Sequence, residues 1–126
     1  MKRILVTGAG GFIGGHLVHI LLKKKYKVVC ADIKPFKDWF QIFKESKNYS
    51  YDLNDYSNCL KVSKNVDFIF NLACNMGGMG FIENNKAKCM TSVLINTNLL
   101  KASTKNKVQK YLFTSSACVY NSSKQK

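Results

Sequence analysis

The stretch RILVTGAGGFIGGHL, residues 3–17, constrains this chain more than any other. An apolar run ends in Gly8; Gly8, Gly11 and Gly14 follow at Gly-x-x-Gly-x-x-Gly spacing; Ile13, Leu17, Ile20 and Leu21 then recur at helical spacing. A strand must turn abruptly into a helix here. Glycine at these positions allows the tight turn, lets backbone N–H groups approach a pyrophosphate, and lets the helix pack on the strand. The helix N-terminus brings unpaired N–H groups and partial positive charge to the same point. A bare glycine pattern is a weak signal, but in this strand-turn-helix setting it points to a dinucleotide.

Strand and helix patterns alternate along the rest of the chain. KVVCADI is a second apolar run, YSYDL a third strand, VDFIFNLA a fourth and KYLFTSS a fifth. Between them, FKDWFQIFKES is expected as a short irregular helix and DYSNCLKVSK as a short helix opened by Asp55. The longest helix is expected over 84–106, with Met90, Val93, Leu94 and Leu100 around one side. Strands that are apolar on both faces, separated by helices, imply a parallel sheet covered on both sides. The fold class is therefore α/β, a doubly wound parallel sheet of the Rossmann kind. With 126 residues, one repeat-free unit with a single proline, Pro35, is expected.

Ligands in such sheets bind at the carboxyl ends of the strands. Asp32 ends the second strand, eighteen residues after Gly14, where a carboxylate can accept bonds from both adenosine ribose hydroxyls and repel a 2′-phosphate; Lys34 follows it, and a turn acid before Pro35 is the alternative reading. Asp52 ends the third strand, placed to meet adenine or simply to close a turn. Leu72 and Ala73 bring small apolar surface to the end of the fourth. Beyond them Met76, Gly77, Gly78, Met79 and Gly80 form a flexible, apolar loop. On the fifth, Ser116, Cys118 and Tyr120 share a face, with Ser116 and Cys118 roughly 6.6 Å apart. A serine there can hydrogen-bond a substrate oxygen. A thiol can act as acid or base if its pKa falls from about 8.5 toward neutrality, although a small buried cysteine is the commoner use.

Composition narrows the partners. The net charge of +13 invites a polyanion, yet Arg3 is the sole arginine among twenty basic residues, and the lysines are scattered rather than clustered. Specific nucleic-acid readers lean on arginine's planar fork, so no nucleic acid is expected. Five dispersed cysteines without Cys-x-x-Cys suggest reduced thiols and no metal site. No apolar run reaches the length of a membrane span or a signal peptide, and a soluble, cytoplasmic protein is expected.

TGAGGFIGGHL, ADIK, FNLA and TSSACVY together resemble the extended short-chain dehydrogenase/reductase family, the NAD-dependent epimerases and dehydratases. NMGGMGFI with SSACVY is narrower and resembles the GDP-mannose 3,5-epimerases. The resemblance runs from Met1 to Gln125, with Cys74-Asn75 standing where Ala-Asp is usual, Ser92 where an asparagine is common, and Asn121 where glycine follows Val-Tyr. It implies NAD as cofactor, held by Gly8, Gly11, Phe12, Ile13 and Gly14 at the turn, by Asp32, Asp52 and Leu53, and by Leu72 and Ala73. It implies a nucleotide-sugar substrate, a GDP-hexose, flanked by Met76, Gly77 and Gly78. Ser116 and Cys118 become the catalytic residues, Ser116 on the C4 oxygen and Cys118 as one member of an acid-base pair for epimerisation through a 4-ketone. A 4-epimerase or 4,6-dehydratase of the same family, and a non-catalytic NAD-binding module or truncated remnant, are the competing readings. A homodimer packed through the long helix is also implied for the full-length enzyme.

One motif is deceptive. Tyr120 and Lys124 spell Tyr-x-x-x-Lys, the spacing of a catalytic pair on a helix. NSS between them is turn-like, and Tyr120 would lie roughly 13 Å along the strand from Ser116. The chain is accordingly expected to be the N-terminal part, residues 1–126, of a longer enzyme whose Tyr-Lys pair and sugar-binding part lie downstream.

Overall fold

The computed structural model describes residues 1–75, 79–115 and 121–124, and for Met79 and Ser122 the backbone alone. Strands β1 (Arg3–Thr7), β2 (Lys27–Asp32), β3 (Lys47–Ser50), β4 (Phe68–Asn71) and β5 (Lys110–Phe113) form one sheet in the order β3-β2-β1-β4-β5. Each neighbouring pair runs parallel, with Thr7 level with Ala31 on one side and with Asn71 on the other. The helices are α1 (Phe12–Lys23), α2 (Tyr56–Val62), α3 (Met79–Asn84) and α4 (Lys86–Lys105).

The period-two alternation of the strands sorts their side chains into two cores. Ile4 and Val6 of β1 with Val28 and Cys30 of β2 pack beneath Val18 and Leu21 of α1. Leu5, Val29, Ala31 and Ile69 point the other way, onto Cys59 and Val62 of α2 and Ile95, Leu99 and Ala102 of α4. Both faces of the sheet are thus covered, as the doubly wound reading required.

Three local expectations change, and the packed face of α4 becomes clear. FKDWFQIFKES contributes only a 3-10 turn at Phe36–Asp38, because the chain then extends so that Trp39 can pack on Gly10. Met79 and Gly80, expected in a flexible loop, open helix α3. The side of α4 carrying Met90, Val93, Leu94 and Leu100 faces outward; its packed side is Ile95, Leu99, Ala102 and Ser103. The third strand starts and stops earlier than YSYDL, leaving Tyr51 and Asp52 beyond its end. Asp55 does cap α2, its Oδ1 accepting the Ser57 N–H at 2.8 Å.

Candidate functional site

The glycine turn lies where β1 and β4 end side by side. Gly8 is held at φ +69°, and a Cβ there would stand 2.7 Å from the Leu72 carbonyl oxygen. Gly14 leaves no room either: a Cβ would collide with the Gly8 carbonyl oxygen. The turn is closed by the Gly11 N–H on the Gly8 carbonyl at 3.1 Å. Gly11 is the N-cap of α1 and brings no side chain to it, so the first N–H groups of the helix, on Phe12, Ile13 and Gly14, keep their capacity for an external acceptor. The side chains of Phe12 and Ile13 are exposed, and Phe12 stacks edge-on to His16 and Phe40.

Beside the turn is a cavity of about 320 Å³. Its walls include Gly8, Gly11, Asp32, Asp52, Leu53, Leu72 and Ala73, seven of the positions singled out in the sequence, brought together from four separate segments. Asp32 Oδ2 accepts the Gly10 N–H at 3.0 Å and its Oδ1 accepts the Lys34 N–H at 3.0 Å. Those two bonds fix the carboxylate and leave lone pairs on each oxygen for a ligand hydroxyl. Asp52 Oδ1 accepts from the backbone and side-chain amides of Asn54, so it holds a turn while also lining the cavity. Asn54 Oδ1 is buried with no hydrogen-bond partner among the described residues.

A polar network supports the other end. Thr7 Oγ1 donates to Asn71 Oδ1 at 2.7 Å; Asn71 Nδ2 donates to Asn96 Oδ1 and to the Tyr111 hydroxyl, and that hydroxyl donates to Asn96 Oδ1 at 2.8 Å. Thr7 and Asn71 are almost wholly buried, and together they receive the Ala73 N–H. The network therefore sets where the chain leaves β4. Burial pushes the Tyr111 phenol up to about 12, against the opposing pull of its bond from Asn71. Next along, Asn75 bonds to Ser92 and Thr91 of α4, tying the loop to the long helix. Cys74, on the cavity wall, has its thiol raised first by burial and then by the nearby Cys89.

Met76, Gly77, Gly78, Ser116, Cys118 and Tyr120 lie outside the described residues. After β5 the backbone reaches Ser115 without regular structure, and Ser122–Lys124 make a single 3-10 turn closed by the Asn121 side chain on the Ser123 N–H. Ile33, Tyr51, Asn54 and Ile95 also line the cavity without having been singled out; no residue type or spacing marks them, since tertiary packing alone brings them there. Among the described residues no cluster of acids, histidines and cysteines is built for a metal, and no described helix is long and apolar enough to cross a membrane.

A dinucleotide fits this geometry. The cradle at Gly8 and Gly14 is one that a Cβ would fill, the N-terminus of α1 has unpaired donors for a pyrophosphate, and Asp32 is a fixed acceptor beside it. Comparison with known proteins points the same way. The chain is 40% identical over 124 residues to GDP-mannose 3,5-epimerase 1 of Oryza sativa subsp. indica and 37% identical to GDP-mannose 3,5-epimerase of Arabidopsis thaliana; each match takes in 98% of this chain. The chain spans about a third (33%) of the length of these curated relatives. Among solved structures, UDP-galactose 4-epimerase superposes with a TM-score of 0.83 at 28% identity, over 98% of this chain and 41% of that one. MoeE5 in complex with UDP-glucose and NAD superposes with a TM-score of 0.81 at 28% identity, over 95% and 38%. With the family profile matching residues 4–126, and so taking in the glycine cradle, Asp32 and every strand of the sheet, the chain belongs to the NAD dependent epimerase/dehydratase family, whose cofactor is NAD.

Proposed function

We propose that this chain is the NAD-binding part of a nucleotide-sugar epimerase of the GDP-mannose 3,5-epimerase type. The observation that carries the reading is the 40% identity over nearly the whole chain to an enzyme of that name. NAD, when bound, supplies the means to take a hydride from C4 of the sugar and return it. The chain's own residues do the rest. Backbone N–H groups of Phe12, Ile13 and Gly14 face the pyrophosphate, and Gly8 and Gly11 let the chain approach it. Asp32 would accept the adenosine ribose hydroxyls, Asp52 and Leu53 would stand at the adenine, and Leu72 and Ala73 would bring small apolar surface against the cofactor.

Met76, Gly77 and Gly78 flank the sugar of a GDP-hexose, Ser116 binds its C4 oxygen, and Cys118 moves a proton at C3 or C5. A ketone at C4 makes those neighbouring protons acidic enough for a modest base, which is the task a thiol can perform. The similarity to UDP-galactose 4-epimerase favours a second reading, a 4-epimerase or dehydratase in which Cys118 is only a small side chain. Replacing Cys118 with serine in the full-length protein and following solvent deuterium into C3 and C5 separates them. Loss of label at both positions is the expected result; undiminished label sinks the 3,5-epimerase mechanism.

Residues 1–126 alone are expected to give no new GDP-hexose from GDP-mannose and NAD, since they span about a third (33%) of the enzymes they resemble. The full-length enzyme is a cytoplasmic homodimer joined through the outward side of α4, where Met90, Val93, Leu94 and Leu100 are exposed.

A further inference from the structure

Lys34 stands on the cavity wall beside Asp32, and nothing in the cofactor chemistry above uses it. Its backbone is fixed at three points. The N–H donates to Asp32 Oδ1, and the carbonyl accepts from Trp39 Nε1 at 2.9 Å and from Ser50 Oγ at 3.0 Å. The side chain is fixed as well: Nζ donates to the Gly10 carbonyl at 2.8 Å, on the glycine turn itself. Among the described residues Lys34 forms no ion pair; the pair present is Lys2 with Asp67. An ammonium has three donors, so two remain for a ligand. Asp32, in turn, already accepts one backbone N–H on each oxygen. The ribose end of the cavity thus presents a carboxylate and, anchored two residues on, a positive charge with spare donors.

We propose that Lys34 is a specificity-determining residue that receives the 2′-phosphate of NADP, so that this chain accepts both dinucleotides where an aspartate alone would reject the phosphorylated one. The inference rests on the cofactor reading of the cavity. A 2′-phosphate brings strong acceptor oxygens and nearly two negative charges. The ammonium offsets repulsion from Asp32, and being held in place already it loses little freedom on binding.

Trp39, the only tryptophan, packs on Gly10, where a Cβ would lie 2.8 Å from its ring, so its fluorescence reports ligand binding at this end. Titration of the chain with NAD and with NADP should give dissociation constants within about tenfold of each other. Lys34→Met should weaken NADP by about tenfold or more while NAD moves by less than about twofold, and Lys34→Arg should restore NADP. Lys64→Met controls for the general attraction of phosphate to a cationic protein. Equal effects of Lys34→Met on both dinucleotides, or no effect on either, overturn the proposal. If that variant does not fold by circular dichroism, competition on the native chain decides. Adenosine 2′,5′-bisphosphate should displace NAD at least as well as adenosine 5′-monophosphate, and clearly weaker displacement overturns the proposal. Failure of the folded chain to bind either dinucleotide defeats the cofactor reading itself, and this inference with it.

Discussion

Gly8 is the residue whose freedom matters most. At φ +69° an alanine pays the left-handed penalty of about 1–2 kcal/mol, and its Cβ also presses on the Leu72 carbonyl 2.7 Å away. Gly8→Ala is therefore expected to lower stability by about 2 kcal/mol or more and to displace Leu72 from the cavity wall. Urea unfolding checks the first effect and NAD titration the second; a loss below about 0.5 kcal/mol contradicts the clash. Tyr111 gives a pH test. Its folded pKa, about 12, lies above the ordinary value of 10.0, so its contribution is complete below pH 10 and is lost as pH rises from there toward 12. Tyr111→Phe, which gives up the bonds to Asn71 and Asn96, is expected to be less stable at pH 8 by about 1 kcal/mol. Above pH 10 the gap between wild type and variant should close; unfolding curves that stay parallel through pH 11 contradict it. The difference between the two proteins is the quantity to read, because the lysines titrate in the same range. What could be read at this scale followed from how local each constraint is. Gly8 and Gly14 are marked by the turn they make and Asp32 by the end of its strand, whereas Asn71 and the Lys34 side chain take their meaning from partners distant in sequence.

Among the elements, α4 shows what periodicity leaves open about a helix. It carries two apolar stripes, and periodicity alone does not say which one meets the sheet. Ile95, Leu99 and Ala102 win that contact because Cys59 and Val62 of α2 complete a core around them. The stripe of Met90, Val93 and Leu94 is left facing solvent. If this stripe joins two copies, Leu94→Lys should shift the full-length enzyme from dimer to monomer in sedimentation velocity, with folding stability within about 0.5 kcal/mol of wild type. A dimer that survives the charge places the interface elsewhere. The α1, α2 and α4 ends were legible only to within a residue or two, for a physical reason. Lys25, Asn65 and Lys107 take the left-handed conformation after these helices, where glycine would have marked the stop. The helix at Met79–Asn84 escaped notice because Gly77, Gly78 and Gly80 weaken any helical signal, and Gly80 has nothing near its Cα to demand glycine.

At the scale of the molecule the fold class was recoverable because alternating strands and helices with strands apolar on both faces imply a parallel sheet covered on both sides, while the order of its strands came from the structure. Charge was the less tractable property. Twenty basic residues face seven acidic ones, and the described residues pair only Lys2 with Asp67. Several lysines instead lie over aromatic rings, as Lys47 does over Tyr49 and Lys101 over Tyr56, which shelters their stems without reducing the net charge. A surplus of +13 on one small domain repels itself, and folding brings those charges closer together. Screening should relieve that repulsion more in the folded state than in the expanded unfolded chain, since the Debye length falls from about 30 Å at 0.01 M salt to about 10 Å at 0.1 M. The melting temperature is therefore expected to rise with sodium chloride over this range, by about 4 °C for each kcal/mol of repulsion removed. A melting temperature that stays constant or falls would mean that the lysines are spaced widely enough, and paired well enough with backbone and ring acceptors, that the surplus costs the fold nothing.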